Sequence, residues 1–126
     1  MVKKAKKKIR KSFERGKVYI EAGWNNTIVT LTDPEGNVLG WSTPGRNGFK
    51  GARQKTPYAG QVSAEQVAEI AQAYGIKEID VYVRGMGAAR DQTIRGLMNG
   101  GVAIKSIASV SRVPHGGCRP KKVRKV

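Results

Sequence analysis

Three glycines, Gly45, Gly48 and Gly51, recur at a spacing of three in the stretch 41–58, WSTPGRNGFKGARQKTPY. Arg46, Lys50, Arg53 and Lys55 stand among them and no acid interrupts. Glycine admits a positive φ and lets another molecule approach the backbone. Arg and Lys supply charge and N–H donors for phosphate oxygens. The stretch ends in Thr56-Pro57, which reads as a helix N-cap followed by proline at the first helical position. A flexible basic loop therefore runs into a helix N-terminus, which itself favours anions. The chemistry these residues suit is phosphate binding, against the plainer reading of a solvated hairpin-to-helix loop.

A second such site reads Gly85-Met86-Gly87-Ala88-Ala89-Arg90, after a strand and before a helix. It differs from the dinucleotide fingerprint by Arg90 in the place of the third glycine. The acid expected about twenty residues later is also missing, where the chain reads Ser109-Val110-Ser111. The cofactor reading is therefore rejected. The backbone N–H groups at Gly85 and Gly87, the helix start and Arg90 still suit a phosphate site, and the alternative is a plain strand-to-helix turn whose Arg90 faces water. A cation near the positive end of a helix dipole is unfavourable, with Asp91 a partial offset, so Arg90 implies a bound anion. On that argument its removal leaves the free protein no less stable.

Catalytic and metal chemistry find little support. Lys55-Thr56 lacks the preceding glycine of a P-loop. His115 and Cys118 are three residues apart, but no other His or Cys exists to complete a four-ligand zinc site. Glu21, Glu65, Glu69 and Asp80 come singly. A metal-dependent nuclease would need such acids gathered, and Glu65 and Glu69 lie off the apolar side of their helix. Trp24, Trp41, Phe49 and Tyr58 border the loops. Trp41, at a strand end, reads as core packing. Phe49, between Gly48 and Lys50, reads as the residue to stack on or wedge between RNA bases.

The elements that position these residues follow from periodicity. Residues 18–22 alternate, with Val18, Ile20 and Ala22 on one face. Trp24-Asn25-Asn26 reads as a tight turn through the tolerance of Asn for φ > 0. Residues 27–32 are β-branched. Asp33-Pro34-Glu35-Gly36-Asn37 is a turn, and 38–42 closes a three-strand antiparallel meander. Val67, Ile70, Ala71 and Tyr74 mark a helix that Gly75 ends, with its start open between Thr56 and a second cap signal, Ser63 with Gln66. Ile79, Val81 and Val83 alternate in a strand. A second helix carries Ile94, Leu97 and Met98, Gly100-Gly101 ends it, and 102–110 is the last strand. The order is three strands, then αβαβ, giving a mixed five-stranded sheet with two helices, in three layers or with both helices on one face.

Charge divides the 126 residues into three parts. Segment 1–17 carries nine Lys/Arg and one acid, and 112–126 carries six Lys/Arg and no acid. Between them, 18–111 holds nine Lys/Arg against eight acids, so the total of +15 resides mostly in two tails. The expected organisation is a basic extension 1–17 that is disordered when free, a single α/β domain 18–111 and a basic tail 112–126. The pattern asks for a polyanion, nucleic acid before a membrane surface, because the tails lack large apolar anchors. One cysteine excludes an internal disulfide. No apolar run suits a membrane span, and the Lys-rich start does not suit a secretory signal.

Several motifs are specific enough to name a family. Asn25-Asn26-Thr27-Ile28-Val29-Thr30, Gly48-Phe49-Lys50-Gly51, Lys55-Thr56-Pro57-Tyr58-Ala59 and Pro114-His115-Gly116-Gly117-Cys118-Arg119-Pro120 resemble the universal S-eleven family of small-subunit ribosomal proteins, bacterial type. The resemblance implies a ribonuclease-H-like fold without nuclease activity. It also implies a place on the platform of the small subunit, beside the cleft where messenger RNA pairs with the ribosomal RNA 3′ end. Neighbours of the S-seven and S-eighteen families are implied as well. Departures are few. The family usually has Pro and Gly at the positions of Met86 and Ala89, Asn at Gly116, Phe at Trp24 and Ala at Pro44.

The reading is a non-enzymatic ribosomal RNA-binding protein of the cytoplasmic or plastid ribosome, with no cofactor, no membrane and no copy of itself as partner. The competing readings are a nuclease on the same fold and a general nucleic-acid compacting protein. RNA contacts are expected from Arg46, Gly48, Phe49, Lys50, Gly51, Arg53 and Lys55 in the loop and from Gly85, Gly87 and Arg90 at the second helix. The tail adds His115, Arg119, Lys121, Lys122, Arg124 and Lys125.

Overall fold

A computed structural model of the chain describes residues 13–123. The expected disorder of the N-terminal extension therefore falls largely outside the described residues, as do Arg124 and Lys125. Strand β1 spans Arg15–Ala22, β2 Thr27–Thr32, β3 Val38–Ser42, β4 Glu78–Arg84 and β5 Ala103–Ser109. Helix α1 spans Pro57–Ala73 and α2 spans Arg90–Asn99. β1 starts three residues before the alternating apolar set. Gly16 and Lys17 pair with Ile79 and Asp80 in the sheet, so the boundary expected at residue 17 falls inside a strand.

The sheet order is β3-β2-β1-β4-β5. β1 pairs antiparallel with β2, and β2 antiparallel with β3. β4 lies parallel to β1 on its other side, and β5 parallel to β4. Four strands thus run one way and β2 alone runs against them. Both helices lie on one face, so the fold has two layers.

The alternation seen in the sequence decides that face. Val18, Ile20 and Ala22 of β1, Val29 and Leu31 of β2, and Ile79, Val81 and Val83 of β4 are all buried beneath the helices. Val67, Ala68 and Ala71 of α1 and Leu97 of α2 meet them from above. Each large aliphatic side chain taken fully from water contributes about 1.5–3 kcal/mol, so this one cluster dominates stability. Met98, expected with Leu97, is instead 60% exposed, because a ten-residue helix over a sheet edge has a narrow buried stripe.

The helices pack side by side through small residues. A Cβ on Gly60 would lie 2.8 Å from the Cβ of Ala89, and one on Gly96 would lie 2.6 Å from the Gln61 carbonyl oxygen. Gly100 faces Ala68 as closely. This succession makes α1 and α2 parallel, with both N-termini at the same end. Thr56 caps α1 as expected, its hydroxyl accepting from the Ala59 N–H at 3.3 Å. Gly75, at φ +75, ends α1 in the left-handed conformation.

One of the two early turns differs in mechanism from the expectation. The 23–26 turn closes by Gly23 N–H donating to the Asn26 carbonyl at 2.9 Å, and no described residue other than glycine has a positive φ. Asn is therefore not used there for left-handed backbone. In the β2–β3 turn the Asp33 carboxylate accepts from the Glu35 and Asn37 N–H groups at 3.0 and 2.8 Å. Burial raises the Asp33 carboxyl, but the hydrogen bonds from Asn37, Gly36 and Glu35 outweigh it and hold it below its usual value.

Candidate nucleic-acid interface

The direction of the strands brings the basic segments together. β1, β3, β4 and β5 all finish at one end of the sheet, and both helices start there. The loop 43–56, the turns 23–26 and 85–89, and the tail that leaves β5 therefore converge on that end. Arg46, Lys50, Arg53, Lys55, Arg84 and Arg90 accumulate there against Glu21 and Asp91. The opposite end holds Glu14, Asp33, Glu35 and Glu78 against Arg15, Lys17 and Lys77, which nearly cancel. Two aligned helix N-termini add about half an elementary charge each to the cationic end. Open α/β sheets bind ligands beyond the carboxyl ends of their strands for these reasons.

The loop is built rather than slack. Two short 3-10 turns, Gly45–Asn47 and Gly51–Lys55, divide it. Pro44 is fully buried, and its carbonyl accepts from the Asn47 and Phe49 N–H groups, both at 3.0 Å. Gly48 and Gly51 take φ of +91 and +57 with open space around them, which other residues adopt only under strain. The Asn47 side chain ties the loop to the body, donating to the Ser42 hydroxyl and the Thr43 carbonyl, both at 3.0 Å. Lys50, Arg53 and Lys55 stay exposed.

Two aromatic residues behave otherwise than the sequence suggests. Trp41 is not in the core. It is 47% exposed on the sheet face away from the helices, with the Arg46 guanidinium 4.7 Å from its ring centre. Arg46 also donates to the Trp41 carbonyl at 2.9 Å, so its fork is pinned. A strand-end tryptophan on a two-layer sheet has one face without helices to cover it. Phe49 is half-buried, packed edge-on against Tyr58 with ring centres 5.9 Å apart. Tyr58 is the more open ring of that pair, at 61% exposure.

Arg90 has partners within the protein. One terminal nitrogen donates to the Gly85 carbonyl at 3.0 Å, and the other donates to the Ser109 hydroxyl at 2.9 Å. The guanidinium thus ties the start of α2 to the glycine turn and to the end of β5, which removes the premise that only an anion keeps it there. Gly85, at φ +96, leaves no room for a Cβ beside the Ala22 carbonyl, and Gly87 donates to that carbonyl at 2.9 Å. Both glycines are close-approach positions between two turns, and because the Gly85 N–H donates to the Ser111 hydroxyl at 3.1 Å, neither N–H is left for the phosphate expected from the sequence. Ala89 sits at φ −81, buried against Gly60, so no glycine is needed there. Met86 is exposed, with its sulfur 3.5 Å from Arg90.

His115, Arg119, Lys121 and Lys122 lie exposed on the tail. The site also gains residues not singled out as contacts from the sequence. Trp24, 78% exposed in the 23–26 turn, Tyr58, Arg84 and Arg112 stand at the same end. Arg112 signals by its place in the basic tail and the other three only by proximity to turns, and it takes the strand order to show that those turns are neighbours. The candidate acids have local roles. Glu21 pairs with Arg84 at 3.6 Å, Asp80 accepts from the Ser106 hydroxyl at 2.9 Å, and Glu65 accepts from the Gln61 amide at 3.2 Å. Among the described residues no group of three or more His, Cys, Asp or Glu could hold a metal ion.

A charge-polarised α/β body with glycine turns and helix starts at its cationic end defines a polyanion-binding protein. Comparison with known proteins places it further. The family described as Ribosomal protein S11 matches residues 16–125. Proteins named small ribosomal subunit protein uS11 from two strains of Thermus thermophilus are each 52% identical over 120 residues, covering 95% of this chain and 93% of theirs. The chain belongs to the ribosomal protein S11 family.

Proposed function

We propose that this chain is a structural, non-catalytic constituent of the small ribosomal subunit in the bacterial cytoplasm. It holds ribosomal RNA at the end of the sheet where the loop, the α2 turn and the tail meet. That convergence is the observation that carries the reading, with the family membership. Arg46, Lys50, Arg53 and Lys55 present charge from a loop whose backbone Gly48, Phe49 and Gly51 shape, which suits a folded RNA. Arg90 stands beside a phosphate at the turn that Gly85 and Gly87 shape, while their own N–H groups are held by the Ser111 hydroxyl and the Ala22 carbonyl. In the tail, Arg119, Lys121, Lys122, Arg124 and Lys125 add charges that follow the RNA backbone, and His115 adds a ring among them. Trp24 and Tyr58 offer ring faces to unpaired bases.

Finer parts of the reading rest on the resemblance. The strand order with only β2 reversed supports a ribonuclease-H-like lineage. A platform position, contact with proteins of the S-seven and S-eighteen families, and nearness to the cleft where messenger RNA pairs with the ribosomal RNA 3′ end complete it.

The test is binding of the free chain to a platform fragment of small-subunit ribosomal RNA, against duplex RNA of equal length, across a salt series. Preference for the folded fragment is expected. If about six to ten phosphates are neutralised, affinity falls by about three to five orders of magnitude between 50 and 200 mM salt, by analogy with duplex DNA. Equal affinity for both RNAs would favour a general compacting protein, and a flat salt response would remove the cationic end as the contact.

A further inference from the structure

Among the described residues, the helices cover one face of the sheet and nothing covers the other. Across that open face the register sets Trp41, Thr30, Tyr19 and Tyr82 in one row over β3, β2, β1 and β4. Ile28, Glu21 and Arg84 form the next row. The Tyr19 and Tyr82 rings stack at 5.2 Å with their planes 17° apart. Beside them lies a groove of about 380 Å³, lined by Tyr19, Tyr82, Ile28, Val110, Glu21 and Arg84 among others. Tyr19, Ile28, Trp41 and Val110 are each about two-fifths exposed or more, at 40%, 39%, 47% and 44%.

Charge decides what this face can take. The chain carries +15, yet beside the groove Arg84 is matched by Glu21, and over the whole face Arg15, Lys17, Arg84 and the Arg46 that lies on Trp41 stand against Glu21, Glu78 and Asp80. An RNA strand laid over the groove would meet a carboxylate for its one cation, and over the face three carboxylates for four. Nucleic-acid grooves on sheets instead track the backbone with excess cations. The residues present are those enriched where proteins meet proteins. Aromatic rings and Arg sit at the centre, and lysine stays at the margin. The Glu21–Arg84 pair is partly exposed at 3.6 Å and can exchange its partners without burying an unpaired charge.

We propose that the open sheet face docks an amphipathic segment of a neighbouring protein. One large apolar side chain of that segment enters the groove, an acid meets Arg84 and a base meets Glu21. The inference rests on the reading that the chain works inside a ribonucleoprotein particle. Arg84 and Val110 border both the groove and the RNA-facing end, so the partner lies directly beside the RNA.

The experiment replaces Tyr82 with photoreactive p-benzoylphenylalanine in chains expressed in cells, and irradiates purified small ribosomal subunits. Lys50→p-benzoylphenylalanine serves as the RNA-facing control. The expected result is a protease-sensitive, ribonuclease-resistant adduct to a single protein at Tyr82, and an RNA adduct at Lys50. An RNA adduct at Tyr82, or none while Lys50 captures RNA, overturns the proposal and spares the ribosomal reading. Absence of the wild-type chain from the particles would refute that reading itself. As a second measurement, Ile28→Ser removes one wall of the groove. It should lower the amount of the captured protein in purified particles at least tenfold, while RNA affinity of the free chain stays within twofold. Unchanged protein content, or an equal loss of RNA affinity, also overturns the proposal.

Discussion

Replacing Arg90 with alanine separates its two roles. In the free protein the change removes charged donors from the Gly85 carbonyl and the Ser109 hydroxyl, at 3.0 and 2.9 Å. Hydrogen bonds to charged groups are worth about 1.5–3 kcal/mol when buried. Arg90 is only half-buried, so water recovers much of that. Removing a cation from the N-terminal turn of α2 returns about 0.3–1 kcal/mol. The net loss is about 0.5–2 kcal/mol, which lowers the melting temperature by about 3–12 °C for a domain near this size. If the guanidinium also meets an RNA phosphate, affinity falls a further tenfold or more, the worth of one charge-assisted bond. The assays are thermal unfolding of the free chain and RNA binding at fixed salt. Arg90→Lys keeps the charge but not the two-pronged reach, so it should recover binding in part and stability little. An unchanged or higher melting temperature would show that the ties to Gly85 and Ser109 carry no energy. A lower melting temperature with full RNA affinity would make the residue purely structural.

Other outcomes follow from the same geometry. Gly96→Ala drives a methyl to 2.6 Å from the Gln61 carbonyl oxygen. Overpacking costs about 1–3 kcal/mol and better helix propensity returns about 1, so calorimetry should show net destabilisation, and a stabilised variant would mean a loose helix seam. The Asp33 carboxyl lies below its usual 3.8 in the folded chain, so its stabilisation is whole above that value and fades as pH falls through the lower folded one. Acid unfolding of Asp33→Asn should lack that component, and identical acid profiles would refute it. Arg53→Lys should lower selectivity for the cognate RNA at nearly constant salt slope. Lys122→Gln should instead lower the slope by about one with selectivity kept, and the reverse pattern would show that the loop supplies only charge.

Much of this fold is readable from local signals. Val18, Ile20 and Ala22 alternate because one strand face is buried, and Thr56-Pro57 and Gly75 mark the ends of α1 by cap chemistry. The glycines at 48, 51 and 85 point to special backbone, and each takes a positive φ. What the chain does not announce is pairing at a distance. Trp41 reads as core until β3 is known to be an edge strand with an uncovered face. Arg90 reads as unpartnered until β5 is known to end beside α2, because Ser109 is remote in sequence. Trp24 and Tyr58 become neighbours of one surface only through the shared direction of four strands.

That shared direction also bears on how the protein assembles. The β1–β2–β3 meander closes through short turns, but β1 and β4 pair residues roughly sixty positions apart, which makes for slow, late closure. Before β4 docks, the chain already carries its full charge and is drawn to any RNA. The joining of the 23–26 and 85–89 turns, and with it any discrimination among RNAs, exists only once the last parallel strands are in place. Attraction thus precedes recognition in time. A chain caught early on the wrong RNA can still leave, because nothing shape-specific yet holds it.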